Sequence, residues 1–147
     1  MKKLLLIILT TLCCSALAET LSEQELAKLP AIDKYKTQTE YQYLKCNAEF
    51  FIELQKAELG ESVSAERGYK KCVDDAKTPS KKLLKMSLQK IKTPAASTSL
   101  KNYHVKFLAA LEGIKPGKNE IAIDYNRRQQ ALGDSMKEAW LKFELEQ

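Results

Sequence analysis

The chain has 147 residues, with 24 Lys and Arg against 19 Asp and Glu, one His and four Cys, and a formal charge of +5. That length suits one domain with a modest core. A single histidine argues against multi-histidine metal sites. No P-loop, G-x-S-x-G, H-E-x-x-H, dinucleotide fingerprint or Cys-x-x-Cys spacing occurs.

The first 18 residues read as a signal peptide. Lys2 and Lys3 form a positive start, residues 4–14 are apolar, and Ala16-Leu17-Ala18 has the small-x-small cleavage pattern. The apolar run is too short for a permanent membrane anchor. Cys13 follows Leu12 and Cys14 follows Cys13, where a lipidated cysteine would follow a small residue, so soluble export is expected. The expectation is cleavage near Ala18, a periplasmic or secreted product, and a single helical domain over 19–147. Loss of Lys2 and Lys3 takes the charge from +5 to +3 and leaves Cys46 and Cys72 as the two cysteines. An even pair in an exported chain reads as a disulfide.

Along the rest of the chain the apolar spacing is helical almost throughout. Ser22-Glu23-Gln24-Glu25 has the form of a capping box, and Pro30 stops the short helix that it opens. A second helix should start between Ala31 and Thr37 and run to Leu59. Tyr43, Cys46, Phe50, Leu54 and Ala57 share one face, which Leu44, Ala48 and Phe51 widen. Gly60 should end this helix in a left-handed conformation. After Gly60-Glu61-Ser62, Ser62 or Ser64 caps a helix with Ala65, Gly68, Tyr69, Cys72 and Ala76 on its apolar face and Val73 beside it. Gly68 is expected to admit the partner helix. Cys46 lies 14 residues before Gly60 and Cys72 lies 12 after it. Antiparallel helices joined at that break bring the two cysteines level, so the spacing predicts a disulfide-clamped helical hairpin.

Thr78-Pro79 has the form of an N-cap and a first helical residue, predicting a separate helix over 79–92 with Leu84, Leu88 and Ile91 inward. Thr93-Pro94 to Ser99 reads as a polar connector. Leu100, His104, Phe107, Leu108 and Leu111 mark the next helix, with Gly113, Ile114 and Pro116 as a Schellman-type stop. A last helix runs from about Asn119 to Glu144 on Ile121, Tyr125, Leu132, Met136, Ala139, Trp140 and Phe143, with Gly133 as a point for a kink or break. The fold class is all-α, an irregular bundle of about four main helices with a short N-terminal helix laid across it.

Charge is segregated. Residues 19–66 carry 10 acids and 5 lysines, residues 67–106 carry 11 bases and 2 acids, and residues 107–147 carry 7 acids and 6 bases. The basic middle, with Arg67, Lys70, Lys71, Lys77, Lys81, Lys82, Lys85, Lys90 and Lys92, is a candidate surface for an anionic partner. Lysine dominates where arginine would serve nucleic acid, so nucleic acid is disfavoured as a partner. The competing reading is a solvated bundle face.

His104 falls on an apolar face and reads as a satisfied, partly buried histidine. Asp74-Asp75 and Glu49/Glu53 read as solvent-facing acids, and Arg127-Arg128 as salt-bridge partners. Of Tyr35, Tyr41 and Tyr43, one that turned outward would be an interface anchor. No catalytic residue, metal site or cofactor is assigned. The expected function is non-enzymatic binding of another envelope protein, in the manner of an inhibitor or immunity-type partner. The alternative is association of the Lys-rich 67–106 region with anionic lipid or glycan.

Overall fold

The structure is a computed structural model, and it describes residues 23–60, 65–117 and 120–147. The signal-peptide segment, the Ser22 cap and the Ser62 and Ser64 caps lie outside the described residues, as does the side chain of Arg67. Among the described residues five helices follow one another: α1 (Glu23–Lys28), α2 (Ala31–Glu58), α3 (Ala65–Leu88), α4 (Pro94–Glu112) and α5 (Ala122–Glu146). Among the described residues there is no strand, and no helix is long and apolar enough to cross a membrane.

The long helices form two hairpins. α2 packs chiefly on α3 and α4 chiefly on α5, while the α3/α4 and α2/α5 seams between the hairpins are less extensive. The first hairpin is clamped by Cys46–Cys72, with Cα atoms 5.9 Å apart, as the spacing predicts. Gly60 has φ +80°, the left-handed conformation that a helix end favours. At the far end of this hairpin the Ser87 hydroxyl donates to the Ala31 carbonyl at 2.9 Å.

The core joins both hairpins: Tyr35, Tyr43 and Phe50 of α2, Cys72, Ala76 and Leu83 of α3, Leu100, Tyr103, Phe107 and Leu111 of α4, and Tyr125, Met136, Trp140 and Phe143 of α5. Edge-to-face ring pairs recur through it, with Tyr35–Tyr103 at 5.8 Å and Tyr103–Trp140 at 5.1 Å between centroids.

Several local expectations are corrected. α3 passes through Thr78-Pro79 without a break and ends at Leu88 rather than Lys92. Its buried stripe therefore keeps one phase through Cys72, Ala76, Ser80, Leu83 and Ser87. Leu84, Leu88 and Ile91 are left half-buried. The second Thr-Pro pair is the real helix start. The Thr93 hydroxyl accepts from the Ala96 amide at 3.1 Å and Pro94 opens α4, so the expected connector is the first turn of a helix.

Gly113 ends α4 with φ −71°, not left-handed. Its need is space, since a Cβ there would stand 2.5 Å from Leu132 Cδ1. Gly68 faces open space rather than a helix contact. α5 begins at Ala122 and runs through Gly133 unbroken. On α2, Leu44, Ala48 and Ala57 are exposed rather than core, as is Ile121 before α5.

Candidate functional site

The nine predicted basic residues do not form one patch. Lys70, Lys77, Lys81 and Lys85, at spacings of seven, four and four, share the flank of α3 that borders α4. Lys77 is committed to Glu112 of α4 at 2.9 Å, beside the Tyr69 hydroxyl, which donates to the Glu112 carbonyl at 3.1 Å. Lys71 pairs with Asp75 at 2.5 Å, one turn on. The exposed Lys82 lies on a neighbouring face of α3, and Lys90 and Lys92 follow the end of the helix.

Below the Lys77–Glu112 bridge the α3/α4 seam opens into a shallow groove. Lys81, Leu84, Lys85, Leu88 and Gln89 of α3 and its C-terminal turn form one wall, and His104 of α4 the other. Among the described residues no carboxylate pairs with Lys81, Lys82 or Lys85, and two of these free ammonium groups, Lys81 and Lys85, stand beside the half-buried Leu84 and Leu88. Lys101, one turn before His104, is also exposed.

His104 is 7% exposed, and the Tyr35 hydroxyl lies 2.8 Å from its Nδ1. Burial, and then the charge of Lys81, lower its pKa below the ordinary histidine range. Burial drives the Tyr35 hydroxyl far above its ordinary range, so Tyr35 stays protonated and either donates to Nδ1 or accepts from it, according to the imidazole tautomer. The satisfied histidine expected from the sequence is what the structure contains.

The second seam was not legible in the sequence. Between α2 and α5 lies a cleft of about 360 Å³. Glu40, Tyr43, Leu44 and Asn47 bring one helical stripe to it, and α5 brings Asn126, Gln129, Gln130, Gly133, Asp134, Met136 and Lys137. Its floor is fixed. The Tyr43 hydroxyl donates to the Gln129 carbonyl at 2.7 Å, and Gln129 Nε2 donates to the Gly113 carbonyl at 2.6 Å. Burial raises the Tyr43 pKa to about 12 and raises that of Glu40 above the usual carboxylate range. Leu44, assigned to the core by periodicity, is 61% exposed at the rim. The only signal that pointed here was Gly133, a costly residue inside a helix.

Of the tyrosine cluster, Tyr41 is the one turned outward, at 43% exposure, while Tyr35 and Tyr43 are core. Arg128 is used internally. It bonds both carboxylate oxygens of Glu120 (2.8 and 2.6 Å), the Lys115 carbonyl (3.2 Å) and the Gly113 carbonyl, tying α5 to the turn after α4. Among the described residues no three His, Cys, Asp or Glu side chains converge to hold a metal. Comparison with protein families, curated proteins and solved structures found no match to this chain.

Proposed function

We propose that this chain is a non-catalytic binding protein of the cell envelope, and that the α3/α4 groove docks an acidic surface of another envelope protein. The observation that carries the reading is the groove itself, where unpaired Lys81 and Lys85 flank the half-buried Leu84 and Leu88. Desolvated apolar contact supplies binding energy, and the lysines select an acidic partner and speed its approach. His104 serves as wall rather than reagent, because its Nδ1 is engaged by Tyr35. Export with cleavage near Ala18 belongs to the same proposal. It is supported by the Cys46–Cys72 disulfide, a bond that persists in oxidising compartments.

The rival is an anionic lipid or glycan surface held by the same lysines. It is less favoured because no Trp, Tyr or Phe side chain lines the groove to anchor a membrane interface. The test is capture from an envelope extract by the oxidised chain, beside a Lys81→Glu/Lys85→Glu variant, followed by direct titration with the captured protein. Saturable, salt-sensitive binding that is lost in the variant supports the reading. Equal binding by both forms overturns it. Binding only to anionic vesicles transfers the lysines to the rival.

A further inference from the structure

We propose that the α2/α5 cleft is a separate binding site for a neutral sugar unit of a glycan, with Asn47, Asn126, Gln130 and Glu40 bonding its hydroxyl or acetamido groups and Leu44 covering its apolar face. The proposal does not depend on the α3/α4 groove, which lies on the other seam.

Two observations set the cleft apart from incidental surface. The first is Gly133. A glycine inside a helix costs about 1 kcal/mol against alanine. An added Cβ there would meet Tyr43 Cε1 at 3.6 Å and its hydroxyl at 3.9 Å, both ordinary contacts. Packing therefore does not require glycine at this position, in contrast to Gly113. What the missing side chain does is keep the cleft hollow over Tyr43. The second is Asn47, a wall residue whose side-chain oxygen is buried without a hydrogen-bond partner. Such a group is destabilising while it stays unpaired; closed to water as it stands, this oxygen gains a partner once the half-buried side chain turns to face a ligand in the cleft.

The lining also selects a ligand class. Gln129 and Tyr43 are occupied by the protein, which leaves Asn47, Asn126 and Gln130 as carboxamides and Glu40 as a carboxylate. Asp134 and Lys137 pair with each other at 3.5 Å. Lys36 and Lys137 both favour the charged form of the Glu40 carboxyl, with Glu144 opposing them. Counted once each, Glu40, Asp134 and Glu144 against Lys36 and Lys137 leave one negative charge, which disfavours an anion. Carboxamides both donate and accept, and so do sugar hydroxyls and acetamido groups. Leu44 and Met136 supply the apolar contact that C–H faces need. The volume falls at the lower end of the roughly 300–1,000 Å³ seen for ligand sites.

The test is calorimetric and NMR titration of the oxidised chain with an oligomer of N-acetylglucosamine, and in parallel with a neutral, blocked tripeptide. The variants are Gly133→Ala, which places a methyl in the cleft, and Asn47→Leu, which removes the free carboxamide. Saturable sugar binding is expected, with amide shifts at Leu44, Asn47 and Gly133, and at least tenfold weaker binding in each variant. Melting temperatures should hold or rise, since alanine favours the helix and leucine removes an unsatisfied polar group. Lys81→Glu/Lys85→Glu should leave sugar affinity unchanged. No saturable sugar binding, tripeptide binding in its place, or equal affinity in both cleft variants would overturn the proposal.

Discussion

The Tyr35 hydroxyl and His104 Nδ1, 69 residues apart in sequence, meet at 2.8 Å inside the bundle and link α2 to α4 between the two hairpins. One turn along, Thr39 repeats the link, its hydroxyl 2.8 Å from that of Tyr103. Tyr35→Phe keeps the ring and removes the hydroxyl. It leaves Nδ1 buried and unsatisfied, so unfolding free energy should fall by about 1–3 kcal/mol. Urea titration followed by circular dichroism checks this, and an unchanged midpoint would contradict the link.

The same histidine makes stability depend on pH. Burial, followed by Lys81, lowers its folded pKa, whereas the unfolded side chain titrates near its ordinary value of about 6.5. The unfolded state therefore binds the proton more tightly. Stability should be fully present above about pH 6.5 and should decline as pH falls toward the folded value. The urea midpoint is expected to drop between about pH 7.5 and about pH 5.5, and to drop less in His104→Gln.

Cys46–Cys72 closes a loop with a sequence separation of 26. Constraint of the unfolded chain by such a loop contributes about 3.5 kcal/mol on the chain-entropy estimate. The Cys46→Ala/Cys72→Ala chain should lose stability of that order while keeping its helical circular dichroism. A thiol assay of the unreduced, denatured chain should find no free thiol at either position.

Gly113 offers a steric test of the contact between α4 and α5. A methyl there meets Leu132 Cδ1 at 2.5 Å, and the end of that side chain must swing away. Because Leu132 is half-buried and can turn, Gly113→Ala should cost about 0.5–1.5 kcal/mol, the cost of pushing one side chain off its rotamer. Its φ of −71° suits alanine, so backbone strain adds nothing. In a Leu132→Ala background the added cost should shrink, which a double-mutant cycle reads directly.

What could be read from sequence follows from the range of the interactions involved. The hairpin, the left-handed Gly60 and the disulfide depend on spacing along neighbouring segments, and periodicity carries that information. The charge run from Arg67 to Lys92 was visible too, but not its division. Pairing Lys77 with Glu112 requires knowing that α4 lies alongside α3. The α2/α5 cleft was hidden for the same reason. Leu44 continues an apolar stripe by spacing, and it becomes a rim residue only because the second hairpin stands off from α2 at that level.

The two Thr-Pro pairs give the most direct trial of how local signals yield to packing. Thr78-Pro79 and Thr93-Pro94 carry the same start signal, yet only Thr93 caps a helix. Pro79 lies inside α3, where it lacks the amide that would bond the Asp75 carbonyl. The helix persists because Cys72 and Ala76 before it and Ser80, Leu83 and Ser87 after it are buried along one stripe. A fresh helix at Pro79 would be free to reset that phase. Thr93→Ala should therefore cost about 1 kcal/mol through loss of the cap, while Thr78→Ala, an exposed position, should stay within about 0.5 kcal/mol of the parent. Pro79→Ala should raise stability by up to about 3 kcal/mol, since it restores the missing bond and relieves the ring clash. Urea midpoints for the three variants decide the matter. A costly Thr78→Ala together with a neutral or harmful Pro79→Ala would mean that α3 breaks in solution.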